Sequence, residues 1–185
     1  KVMSIISRRG LELGFPATGG AFAKAPFDVI GDTLRGTQGI IMDIYRQPDK
    51  LLEALDVMAD LMINSVISST GDSRYLMANF PLHKGADGFM SDKHFETFYW
   101  PSLKKVILAL LDEGLLVHLF AEGSYNTRLE TVNEFPKGSI SWLFDQTDMA
   151  RAKKVLGDRC CISGNVPSSL LATGTPGEVK EYCRQ

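Results

Sequence analysis

Two periods govern the apolar positions of this chain. Behind Pro48, Leu51, Leu52, Leu55, Met58, Ala59 and Met62 recur at three- and four-residue intervals. That spacing predicts one long amphipathic helix running to about Ser68, with the proline at its start. Residues 115–121 (LLVHLFA) are nearly all apolar instead, the pattern of a strand covered on both faces in a parallel sheet. Residues 75–82 (YLMANFPL) form a second strand candidate, with its ladder expected to stop at Pro81, which has no N–H to give. Residues 140–144 form a third and end at Asp145. The next helix offers Met149, Ala152, Val155 and Leu156 on one face, with Thr147 as its expected cap and Gly157 at its end. A fourth apolar run, 160–162, ends in Ser163-Gly164-Asn165, and a short helix follows over 168–171. Strand, helix and strand in this succession make a βαβ unit with parallel strands and a right-handed crossover.

The intervening segments are read in the same way. Residues 1–13 are amphipathic and helical, closed by Gly14, and residues 14–20 are turn-rich. Residues 26–38 mix apolar side chains with Asp28, Asp32 and Arg35. Ser91 caps a long helix with Phe95, Phe98, Tyr99 and Leu103 on its apolar side and Pro101 as a break or kink. A short helix is expected over 128–132.

Residues 139–180 also carry a family resemblance. A helix ending in LGD, a short strand, GNVP, two leucines and GTPGEV together resemble the uroporphyrinogen decarboxylase superfamily near its seventh barrel strand. That superfamily also holds cobalamin-dependent methyltransferases. The resemblance implies an α/β fold, a TIM (β/α)8 barrel, covered here from about strand 3 to the helix after strand 7. A whole barrel takes about 250 residues, and this chain has 185. The expectation is therefore a single domain over residues 1–185, a partial barrel. The early strands, the last strand and the native start would lie outside it, as an opening Lys1 also suggests.

Composition narrows the function classes. The chain is 44% hydrophobic and 23% charged with a formal net charge of −2. No global basic field draws it to nucleic acid or to an anionic membrane, and no apolar run approaches the length of a span. Three cysteines, two of them adjacent, fit a reduced, cytoplasmic setting. Cys160, Cys161 and Cys183 are read as structural. Phosphate-loop, CxxC and HExxH patterns are missing from the sequence.

In a parallel β/α barrel the loops after the strands build the site. Glu122 ends an apolar strand, where a carboxylate has to be hydrogen-bonded, paired or bound to metal. Asp145 and Asn165 end the next two strands, and His83 and Lys84 follow an earlier one. Glu122, Asp145 and His83 are the catalytic candidates. Arg35, Lys84, Tyr125, Asn126 and Asn165 are the substrate-binding candidates; Arg35 is placed at the mouth by the resemblance. His118 shares a strand face with Glu122, and the two form a candidate metal pair of imidazole and hard oxygen. A plain structural reading stands beside each: an ion-paired Arg35, a core His118, a Glu122 that pins its turn.

The resemblance implies a decarboxylase first, an enzyme removing acetate carboxyl groups from a porphyrinogen without metal or organic cofactor. Family members use an aspartate from an early loop, a tyrosine after the third strand and a late histidine. The first and last of these regions lie outside this chain, and the tyrosine falls near Phe22 if GFPATGGAF matches the family's turn. The alternative is a cobamide-dependent methyltransferase, with zinc and a corrinoid protein as partner. Its His-x-Cys-Gly lands on Phe120 and Glu122 here, so that pattern is absent. A non-catalytic binding or assembly role is the third class. The expected partner is a tetrapyrrole-type small molecule, with a homodimer open to the chain, and neither nucleic acid nor membrane.

Overall fold

The computed structural model of the chain describes residues 20–70 and 77–184, together with 5, 9, 10 and 12–14. The helix expected over 1–13 and the turn over 14–20 lie mostly outside the described residues. Five parallel strands stand in sequence order, β1 (Ala21–Phe22), β2 (Met77–Leu82), β3 (Leu116–Ala121), β4 (Ile140–Phe144) and β5 (Cys161–Gly164). Helices α1 (Pro26–Val29), α2 (Gly36–Arg46) and α3 (Pro48–Thr70) connect β1 to β2. Helices α4 (Asp92–His94) and α5 (Trp100–Asp112) connect β2 to β3, α6 (Met149–Leu156) connects β4 to β5, and α7 (Ser168–Thr173) and α8 (Pro176–Tyr182) follow. Among the described residues no helix is long and apolar enough to cross a membrane.

Side chains alternate along each strand, and the alternation decides what faces the helices. Val117, Leu119 and Ala121 of β3 and Ile140, Trp142 and Phe144 of β4 are buried against them. Leu51, Leu55 and Ala59 of α3 and Leu103, Val106, Ile107 and Leu110 of α5 close over this face. Each fully buried aliphatic side chain contributes about 1.5–3 kcal/mol relative to exposure. The opposite face, which lines the bore in a closed barrel, carries rows set by the register. One row runs Phe22, Asn79, His118, Ser141, Cys161, and the next Pro81, Phe120, Leu143, Ser163.

Several local expectations change in the folded chain. Pro81 lies inside β2, paired with Phe120. The Asn79 carbonyl accepts from the Ala23 amide, so odd-numbered residues of β2 turn their backbone toward β1. β1 has ended at the height of Pro81, and the missing N–H leaves no partner unmet. Pro101 does not break its helix. A wide π-helical turn, Phe95–Tyr99, precedes it and α5 continues through it. Thr147 is not the cap of α6; Asp148 is, accepting from the Arg151 amide. Thr147 is fully buried, and its hydroxyl accepts the Tyr125 amide instead. Residues 128–132 form hydrogen-bonded turns rather than a helix. Cys160 is buried as expected, whereas Cys161 and Cys183 are exposed.

Candidate active site

One more step up each strand beyond the Pro81–Phe120–Leu143–Ser163 row reaches His83, Glu122, Asp145 and Asn165. These four therefore follow directly on the last paired residues of their strands, at the C-terminal rim where barrel enzymes place their chemistry. The His83 ring lies with Nε2 3.6 Å from Glu122 Oε1.

The segment after β1 supplies what holds His83. Pro26 opens α1, and a π-helical turn over Ile30–Leu34 continues it. Asp28 and Asp32, four residues apart, project from one side of this helical stretch. Asp28 is fully buried and accepts from the backbone amides of His83 and Lys84, each at 3.0 Å, and from the Tyr99 phenol at 2.7 Å. Burial pushes its carboxyl above the ordinary range, against the pull of those hydrogen bonds. Asp32 Oδ2 lies 2.8 Å from His83 Nδ1 and 3.2 Å from Lys24 Nζ, and Oδ1 accepts from Lys84 Nζ. Burial alone would raise the Asp32 carboxyl; the hydrogen bonds from Lys84, His83 and Lys24 outweigh it and hold the group well below the usual carboxylate range. Lys84 reaches Asp32 across Gly31, where a Cβ would stand 2.9 Å from Lys84 Cε.

Beneath His83 and Lys84 the wall is aromatic. A Cβ on Gly85 would stand 2.8 Å from Tyr99 Cε1 and also collide with the Tyr125 hydroxyl, so the close approach requires glycine. Burial, then the Asp28 charge and the adjoining Tyr125, push the Tyr99 phenol well above its ordinary value. The fully buried Arg128 staples the loop after β2: Nε donates to the Gly85 carbonyl at 3.2 Å and Nη2 to the Met90 carbonyl at 2.6 Å, while Nη1 meets Asp92. Its guanidinium lies 4.6 Å from the Phe95 ring centroid. The loops after β2 and β3 are thus tied together as a platform for His83.

A uroporphyrinogen decarboxylase (URO-D) family model matches residues 2–185. The chain belongs to the uroporphyrinogen decarboxylase family. Among solved structures, a methyltransferase from Methanosarcina mazei superimposes with a TM-score of 0.65 at 17% identity. The match covers 84% of this chain and 45% of that one. Such a likeness establishes the fold, a partial β/α barrel spanning less than half the length of that protein. No curated protein matches the sequence.

Within this family frame the candidates separate. At the rim a side-chain contact joins His83 and Glu122. Asp145 Oδ2 accepts the Gly123 amide at 3.1 Å, which fixes the turn behind Glu122. Lys84 is buried and its ammonium is paired with Asp32. Arg35 is not at the rim: its guanidinium forms a two-pronged pair with Asp43 at 2.6 and 2.8 Å and lines a cleft of about 660 Å³ between α2 and α3. Tyr125 is fully buried, with its hydroxyl packed against Gly85. Asn126 joins its loop to α6, accepting the Asp148 amide at 2.9 Å and receiving Arg151 on its carbonyl. Asn165 donates to the Thr147 carbonyl and accepts the Tyr182 phenol at 3.1 Å, so its amide is engaged in fixing the β5 tip.

His118 and Glu122 are not brought together as a metal pair. They are four residues apart on one strand, about 13 Å along it, and His118 Nδ1 instead lies 3.2 Å from Ser141 Oγ in the row two levels below. Burial lowers the His118 imidazole below its ordinary value. The thiolate zinc of the methyltransferase branch does not fit this donor set either, since Phe120 and Glu122 stand at the positions of its His and Cys. Among the described residues no cluster of three His, Cys, Asp or Glu side chains is arranged for a metal. The residues missed from sequence are Asp28, Asp32 and Lys24. Two aspartates at helical spacing behind Pro26 were the available signal; their partners, 51 to 56 residues away, gave none.

Proposed function

We propose that the protein is a carboxy-lyase of this family, acting on a porphyrinogen or a related tetrapyrrole-type small molecule. The observation that carries the reading is the His83–Glu122 contact at 3.6 Å on the rim, with His83 braced by Asp28 and Asp32. A group able to carry a proton is what decarboxylation requires of the protein, because the carbon that loses CO2 must be protonated. The Lys24 ammonium and the His83 ring, about a third exposed, stand where a ligand carboxylate can be met. This chemistry draws on side chains alone.

The test incubates the intact protein anaerobically with uroporphyrinogen and, separately, coproporphyrinogen, and follows loss of CO2 by mass spectrometry. A parallel arm follows methyl transfer to or from cobalamin by its visible spectrum. Decarboxylated product supports the lyase. Methyl transfer without decarboxylation overturns it in favour of the cobamide-dependent reading with a corrinoid partner. Tetrapyrrole binding with neither reaction overturns it in favour of a binding role.

A further inference from the structure

The His83 ring lies between carboxylates from two different loops, Asp32 at Nδ1 and Glu122 at Nε2. We infer that Asp32 is a positioning residue that sets the His83 tautomer, keeping hydrogen on Nδ1 and turning Nε2 to Glu122 and the mouth, so that His83 and Glu122 together hold the proton given to the ligand. The destination of that proton rests on the lyase reading; the tautomer does not.

An ionised carboxylate only accepts hydrogen bonds, and an ammonium only donates them. Asp32 takes two ammonium groups, Lys84 and Lys24, and its carboxyl is held well below the usual range, so it is the ionised form that His83 meets. At 2.8 Å the hydrogen between them belongs to Nδ1. The neutral ring then carries its lone pair on Nε2. That lone pair faces the mouth with Glu122 Oε1 3.6 Å away, beyond hydrogen-bonding distance but close enough for the carboxylate to favour a proton arriving on Nε2. The backbone that carries the ring is fixed because the amides of His83 and Lys84 are both bound to Asp28, and the ring itself is held at Nδ1 by Asp32. The charged and titratable groups facing the ring are thus Asp28 and Asp32 from the segment after β1 and Glu122 from the end of β3, with Lys24 and Lys84 behind Asp32. Sequence alone does not link Asp32 to His83, 51 residues away.

The step balances without a further reactant. In R–CH2–COO⁻ the C–C bond breaks, CO2 leaves, and the electron pair stays on the CH2 carbon, delocalised into the attached pyrrole. That carbon takes the proton from Nε2 of the protonated ring, forming C–H, giving R–CH3 and leaving the neutral ring with its hydrogen on Nδ1. Solvent restores the proton to the His83–Glu122 couple.

The experiment uses the intact protein labelled with 15N-histidine. Its three histidines, with His83→Gln as the assignment control, make the ring nitrogens separable by two-bond proton–nitrogen correlation. The expected result is Nδ1–H for the neutral His83 ring in the parent protein, a shift toward Nε2–H in Asp32→Asn, and restoration in Asp32→Glu. In the decarboxylation assay Asp32→Asn should lower kcat about 100-fold, the scale of general acid–base help, and Asp32→Glu should recover part of it. An Nε2–H ring in the parent protein overturns the inference even if the variants fail to fold, and so does a kcat unchanged in Asp32→Asn. Nδ1–H without decarboxylation overturns the lyase reading and leaves the positioning role standing.

Discussion

The Tyr99 phenol donates a 2.7 Å hydrogen bond to Asp28 Oδ2, joining residues 71 positions apart beneath the candidate site. Tyr99 ends the π-helical turn before α5, and Asp28 lies on α1, so this bond ties two loops that carry His83 and its support. Tyr99→Phe keeps the ring and removes the donor from a buried carboxylate. The expected loss is about 1.5–3 kcal/mol, the scale for a hydrogen bond to a charged group. Urea unfolding of the variant and parent checks it, and equal midpoints would mean that the phenol adds nothing.

Gly85 and Tyr125 should be coupled. Gly85→Ala drives a methyl group into the Tyr99 ring and the Tyr125 hydroxyl, an overpacking change expected to cost about 1–3 kcal/mol. Tyr125→Phe removes one of the two obstacles, a fully buried hydroxyl with no hydrogen-bond partner among the described residues, and should be close to neutral by itself. The double variant should therefore lose less than the sum of the two, by about 0.5 kcal/mol or more in a thermal double-mutant cycle. Strict additivity would contradict this packing.

Glu122→Gln removes charge and keeps shape. The Glu122 side chain is 41% exposed and its close polar neighbour is the His83 ring, so the fold should barely respond, within about 0.5 kcal/mol. Turnover or ligand binding should fall at the same time. A large drop in melting temperature with binding intact would instead make Glu122 a scaffold residue.

Acid should expose the Asp32 network. In the unfolded chain this carboxyl titrates near 3.8, whereas in the fold it titrates lower because Lys84, His83 and Lys24 outweigh burial. The folded state thus binds fewer protons, and the stabilisation is complete above the unfolded value and is lost as pH falls through the folded one. Asp28 shifts the other way: burial raises its carboxyl, so the cost of its charge grows as pH climbs from 3.8 through its folded value. Urea midpoints measured across the acid range should fall less steeply in Asp32→Asn than in the parent, and more steeply in Asp28→Asn. Parallel curves for all three would contradict both shifts.

The local periods of the chain were enough to find β2 to β5, the long α3 and α5, and the parallel order of the strands, because burial on one or both faces writes itself into residues two or three and four apart. The GNVP and GTPGEV run was enough for the family. The two-residue β1 had no period to show, and its place follows from pairing with Ala78 and Asn79. His83, Glu122, Asp145 and Asn165 could be put at strand ends from sequence, since a polar residue closing an apolar run marks a tip. What each tip residue does was decided in three dimensions. Lys84, Asn126 and Asn165 spend their polar groups on neighbouring loops, and Arg35 spends its own on Asp43, outside the rim. Asp32 gained its role from partners brought to it by the sheet. A hydrogen bond forms where chain segments meet in space, and no spacing along the chain encodes a meeting across 50 residues of intervening helix and strand.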